Sequence, residues 1–200
     1  MRPIIKQRKN IKYRTMKFLF SVLLIIVSSI QLHAQDIHLT RNGKITFFSH
    51  TNVEDIEAVN NEVTATVNTK NGAVQYLVLV KGFQFKKAAM QQHFNSAEYM
   101  DSDKYPKADF KGTIRDLSKI DFTKDGTYAA VVDGNLTIHG VTNKVTAQGT
   151  VTVKAGKIST AAKFPVKLTD YKVTIPAFSA AKVSEIVEVT VSCSYEPYKN

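Results

Sequence analysis

The side chains able to do chemistry are few. Beyond residue 34 there are four histidines, His38, His50, His93 and His139, and one cysteine, Cys193. No two of these histidines stand at the short spacing of a zinc pair, and no second thiol accompanies Cys193. A metal centre would need assembly from distant parts of the chain, and none is expected. Glu98, Asp101 and Asp103 are grouped, but they lack the glycine and terminal glutamate of a calcium loop. They read instead as a turn whose side chains bond backbone amides. There is no Gly-x-Ser-x-Gly, no phosphate-cradling glycine loop and no dinucleotide fingerprint. Serines and histidines occur, but no spacing makes a catalytic triad arguable. These residues argue against an enzyme and call for no cofactor. Cys193 lies in phase with the apolar positions of Val187–Tyr195, so it reads as a buried, inert thiol. A single cysteine allows no intramolecular disulfide. His139 precedes Gly140 at a turn, where a bond to backbone is expected.

Charge narrows the function further. Seven of the 27 Lys and Arg residues fall within residues 1–34, with no acid beside them. The remainder of the chain carries 20 basic and 17 acidic side chains, spread along strands and turns. That distribution lacks the clustered basic face of a nucleic-acid binder. The first 34 residues read as a secretory signal peptide: a basic region to Lys17, an apolar run Phe18–Ile30, and Leu32-His-Ala34 for cleavage before Gln35. The apolar run is shorter than the ~20 residues of a spanning helix, so cleavage is preferred over an anchor. Met16 offers an alternative start. The expected location after cleavage is periplasmic or secreted, with residues 35–200 forming one domain.

Most of that domain reads as strand. Asp36–Thr40 and Lys44–Ser49 alternate around Arg41-Asn42-Gly43, a turn signal. Val53–Ala58 is ambiguous. Glu62–Thr69 alternates, and Asn71-Gly72 marks a hairpin. In the return strand Val74, Tyr76, Val78 and Val80 share one face. Leu77 and Leu79 make the other face apolar, which suggests cover on both sides. After Pro106 alternation continues nearly to the C-terminus, with turns at Asp125-Gly126, Gly140–Asn143 and Ala155-Gly156-Lys157 and a loop over Ala177–Lys182. Long antiparallel strands with one apolar face and no layer of helices must close on themselves, as a barrel or a sandwich. About eight strands suit a small barrel whose interior is filled or holds one narrow ligand.

One stretch departs from this pattern. Lys86–Phe94 is rich in helix formers, and Met90 and Phe94 share a helical face. Ser96 can begin a second short turn through Tyr99, and Pro106 restores extended chain. The segment is either a plug closing one end of the β structure or a lid over an apolar cavity. His93 lies on this stretch, near the barrel mouth.

The inward-phase residues mix sizes. Ala65, Gly112, Ala130, Ala147, Gly149, Thr160 and Ala162 are small, whereas Tyr76, Phe110, Tyr128 and Phe164 are large. Two readings stay open: a core filled by interdigitation, or a narrow apolar tunnel between aromatic walls.

Met90–Phe110 and Gly134–Val145, the latter ending a strand in His-Gly-Val-Thr, resemble the signature of the YceI-like, lipocalin-type family of polyisoprenoid-binding proteins. The likeness continues through Phe164–Val173 to the final valine-rich strand. Ser49–Ala58 departs from it, being polar and acidic where the family has a Gly-Phe-type sequence. The resemblance implies an all-β fold: an extended antiparallel barrel of about eight strands with a short helical segment near one end. It implies an exported protein that holds a long isoprenoid or similar amphiphilic lipid in its lumen, and it does not imply catalysis. The residues expected to line lumen and lid are Tyr76, Val78, Met90, Phe94, Phe110, Tyr128, Ala130, Val132, Ala162 and Phe164. A ligand-free structural or interaction barrel with a filled core is the alternative, and a homodimer is compatible with either.

Overall fold

The computed structural model describes residues 36–198. The leader expected over residues 1–34 lies outside the described residues. Among the described residues there are nine strands: β1 (Ile37–His50), β2 (Asp55–Asn68), β3 (Ala73–Leu79), β4 (Gln84–Phe85), β5 (Lys107–Arg115), β6 (Gly126–Ile138), β7 (Val141–Lys154), β8 (Lys157–Lys167) and β9 (Ile186–Pro197). One short helix, α1 (Ala88–Asn95), precedes β5. Eight strands form a closed antiparallel ring in the order β1-β9-β8-β7-β6-β5-β3-β2, and β1 pairs with β2 to complete it. β4 is the ninth, lying on β2 above β3 with Ala58 opposite Phe85. Closure leaves every ring strand two neighbours, which is how a sheet with one apolar face removes its edges.

Local chemistry sets the turns. His139 (φ 52°) and Gly140 (φ 73°) form the two-residue link from β6 to β7. Ala155 (φ 50°) and Gly156 (φ 75°) do the same from β7 to β8. Paired left-handed residues match the twist of the flanking strands. Between β2 and β3, the Asn68 side chain accepts from the backbone N–H of Lys70 (2.9 Å) and Asn71 (3.1 Å).

Three sequence expectations change. The turn signal at Arg41–Gly43 is a bulge within one continuous strand, β1, where the register to β2 shifts on either side of Gly43. Gly43 is tolerated because it packs against Cys193: an added Cβ would lie 2.6 Å from its Sγ. Of the ambiguous stretch Val53–Ala58, Asp55–Ala58 opens β2, whose first half pairs with β1, and Val53 and Glu54 stay outside it. Leu77 and Leu79 are not covered on their outer side, being 40% and 46% exposed. Helix α1 sits over the ring's end and leaves that face of β3 open.

β3 cannot continue straight into β4. A single 3₁₀ turn, Val80–Gly82, interrupts it, and the fully buried Asn60 of β2 fills the break. Its amide donates to the Leu79 carbonyl (2.9 Å), and its side-chain oxygen accepts from Glu62 N (2.9 Å). Both orphaned backbone groups are thereby satisfied inside the wall.

The barrel has two halves. The lower end carries the β2–β3 and β7–β8 turns and both strand termini. There Val63, Ala65, Val67, Val153, Ile158, Cys193 and Tyr195 are buried to 2% exposure or less. The upper end carries α1, the β6–β7 turn and the 168–185 connection, and its interior is not filled.

Candidate functional site: an apolar cavity in the upper barrel

The upper half encloses a cavity of about 450 Å³, within the ~300–1,000 Å³ of small-molecule sites. Nine of the ten residues expected from sequence line it: Tyr76, Val78, Met90, Phe94, Phe110, Ala130, Val132, Ala162 and Phe164. Tyr128 does not. It lies near the lower end of β6, pairs with Val151, and its hydroxyl donates to the Lys124 carbonyl (2.9 Å) in the adjoining turn. Its phase is inward, but its height is wrong.

One wall is made of small residues, because β6, β7 and β8 place Ala130, Ala147, Gly149 and Ala162 toward the lumen. Here smallness is what leaves space. Gly112 and Gly134, by contrast, form a pad under the Phe110 ring, which would lie 2.6 and 2.5 Å from an added Cβ at either. The facing wall is aromatic. Phe94 on α1 is caged by Phe47, Phe83 and Phe85, with ring centroids 5.5, 5.8 and 5.0 Å away. Sequence reading missed Phe47, Phe83 and Phe85, although Phe47-Phe48 and Phe83–Phe85 stand out as dense aromatic runs. It also missed Met100 and Phe178, which reach the cavity from irregular segments.

The floor is polar. Tyr76 Oη lies 3.2 Å from Thr160 Oγ1 and 3.0 Å from Tyr195 Oη, and the last two are 3.1 Å apart. β3 and β8 are four places apart in the eight-membered ring, so this triangle bars the lumen from one side to the other. Each hydroxyl can donate one bond and accept one, which satisfies all three without water. Burial raises the pKa of both tyrosines, so they stay protonated donors. Cys193 on β9 pairs with Thr160, its thiol pushed up to about 11 by burial, and is no nucleophile at neutral pH.

The mouth is built by the segment that departs from the strand pattern. After α1 the chain folds on itself: Met100 N bonds Phe94 O (3.1 Å), Asp101 N bonds Ser96 O (2.8 Å), and the buried Ser102 hydroxyl donates to Asn95 O (3.1 Å). Asp101 takes a left-handed φ of 43° to allow this. Tyr105 then packs on His139 with centroids 4.3 Å apart. His139 Nδ1 is buried without a partner, so this ring is held by Tyr105 and not by the backbone bond expected. Across the mouth, the 3₁₀ turn Leu168–Tyr171 buries Tyr171 and Val173 against Leu136, Val166 and Val187. The Tyr99 hydroxyl donates to Ser179 Oγ (2.7 Å) and ties the two flaps together. Glu54, in the polar stretch before β2, pairs with Lys87 at 2.8 Å, which holds its carboxyl below the usual range. Among the described residues no group of three His, Cys, Asp or Glu side chains is placed to hold a metal.

Phe94 is half-buried, not sealed in. Phe94→Ala should therefore destabilise by less than the ~3–5 kcal/mol of a fully buried phenylalanine, while opening the cage above the cavity. Urea unfolding and lipid release rates check this together. A core-sized loss of stability with unchanged release would make α1 a fixed plug.

Residues 36–195 match the YceI-like domain. Among solved structures, the chain is similar to a polyisoprenoid binding domain from Saccharophagus degradans implicated in plant cell wall breakdown. The TM-score is 0.71 at 15% identity, covering 82% of this chain and 99% of the other. It is similar to Burkholderia cenocepacia BcnA with a TM-score of 0.64 at 18% identity, covering 77% and 96%. A Campylobacter jejuni YCEI protein gives 0.59 at 15% identity, covering 76% and 90%. No curated protein matches the chain. The match over residues 36–195, borne by a closed eight-strand barrel that the two signature segments cap together, makes this chain a member of the YceI-like domain family.

Proposed function

We propose that this chain is an exported binding protein that holds a long-chain isoprenoid, or a similar amphiphilic lipid, in the upper barrel. The observation that carries the reading is the cavity: an open-mouthed space walled mainly by Val, Ala, Phe and Met side chains. Such a wall recognises apolar length and little else, at ~25 cal/mol per Å² buried. The polyisoprenoid binding named for the Saccharophagus degradans domain supports the same ligand class. Export rests on the leader pattern of residues 1–34, which points to a periplasmic or secreted location once it is removed. The reading contains no catalytic step and no metal, and it leaves the chain free to act as monomer or homodimer.

Extraction of the purified protein with organic solvent, followed by mass spectrometry, should recover an amphiphile in near-stoichiometric amount. Stripped protein should take up added polyprenol. Repeated recovery of nothing, together with no uptake, would overturn the lipid reading and favour a ligand-free barrel.

A further inference from the structure

We infer that the hydroxyl triangle Tyr76–Thr160–Tyr195 is a length stop, so that this barrel selects its ligand by how much chain fits between mouth and floor. The inference rests on the lipid reading and specifies what that site would choose.

Three observations carry it. Tyr76 and Thr160 face the cavity, whereas Tyr195 stands beneath them, 1% exposed, and does not line it. The triangle thus bars the cavity across the ring on the β8–β9 side, and only the β3–β5 wall, at Val74 and Ile114, continues it below Tyr76. The triangle is also self-satisfied: its three bonds of 3.0–3.2 Å use all three protons. It offers an arriving chain end no donor, and opening it would strand buried hydroxyls. Finally, the barrel beneath is tightly packed, with Val67, Val153 and Ile158 at 2% exposure or less.

The depth above the stop is set by the strands. From Thr160 to Val166 on β8, at ~3.3 Å per residue, the wall runs roughly 20 Å, less along the axis because barrel strands tilt by ~35–45°. Chain inside that span is removed from water, and each methylene should raise affinity by up to about fourfold (about 0.8 kcal/mol). Chain beyond it stays in solvent and adds nothing. Retention should climb with length and then go flat.

The test uses the purified protein, stripped of lipid, in competition with a polyprenol series from farnesol to solanesol, read by native mass spectrometry. Wild type should show a break length. Tyr76→Leu removes the crossbar and should move the break longer by at least one isoprene unit. Ala162→Leu, one side-chain layer above Thr160, raises the floor and should move it shorter by a similar step. Because the two shifting variants act in opposite directions, a folding defect in one does not mimic the result. Uptake of the whole series with a break moved by neither variant overturns the stop and leaves the lipid reading standing. Uptake of no polyprenol by wild type overturns both.

Discussion

Replacing Ala65 by Phe should destabilise the protein by at least about 1–3 kcal/mol, whereas Ala130→Phe should cost less than about 1 kcal/mol and abolish lipid uptake. Both alanines sit on the inward phase of long strands, and both are buried, at 1% and 7% exposure. They differ in height. Ala65 belongs to the packed lower half, where a phenyl ring has nowhere to go and must push aside neighbours already at crystal-like density. Ala130 borders the cavity, where the same ring occupies space a ligand would use. Urea unfolding and polyprenol uptake, measured side by side, read both effects. Equal, large losses of stability would mean a barrel filled throughout. Equal tolerance would mean that the hollow reaches below the hydroxyl triangle.

The second large effect lies at the link from β6 to β7. Gly140→Ala should cost about 2–5 kcal/mol, built from two separable parts. Holding an L-residue in the left-handed region costs ~1–2 kcal/mol, and Gly140 has φ 73°. Overpacking costs a further ~1–3 kcal/mol, since the new Cβ would lie 2.6 Å from the Tyr105 ring. Gly156→Ala supplies the control. It has nearly the same φ, 75°, but nothing within 4 Å of its added Cβ, so only the backbone part should appear. Thermal or urea unfolding of the pair gives the cost of the Tyr105 contact as a difference. Equal losses in both variants would mean that the Tyr105 ring moves away freely and that the contact does not hold the mouth segment.

The two signature segments were legible as motifs before their reason was. Gly140 and Tyr105 are 35 positions apart, yet they meet, and only the folded chain shows that the glycine makes room for the ring. Alternation in β6, β7 and β8 was read correctly because inward and outward faces differ so strongly in polarity. It misled at Leu77 and Leu79, where apolar residues on an outer face suggested a cover that the helix does not provide. Phase also placed Tyr128 with the cavity residues, since a period of two gives the face but not the height along the axis. The filled and hollow readings of the core were both drawn from one set of inward residues. Each holds in one half, and nothing in the local pattern marks the boundary. That boundary depends on Tyr76, Thr160 and Tyr195, whose contacts span up to 119 positions. The aromatic cage was within reach: Phe47, Phe83 and Phe85 lie in runs dense enough to have been grouped with Phe94.

Stacking a solid storey beneath a hollow one divides labour within a single fold. The lower storey carries the interdigitated valines and the two tyrosines that lock the ring, so it can hold the barrel together whatever the upper walls become. Substitutions on the upper walls should therefore cost less folding stability than substitutions of the same size below. Chains that share only 13–18% identity with this one still superpose with TM-scores of 0.58–0.71. A packed half that carries the closure of the ring is one physical arrangement under which such a fold can persist at so low an identity.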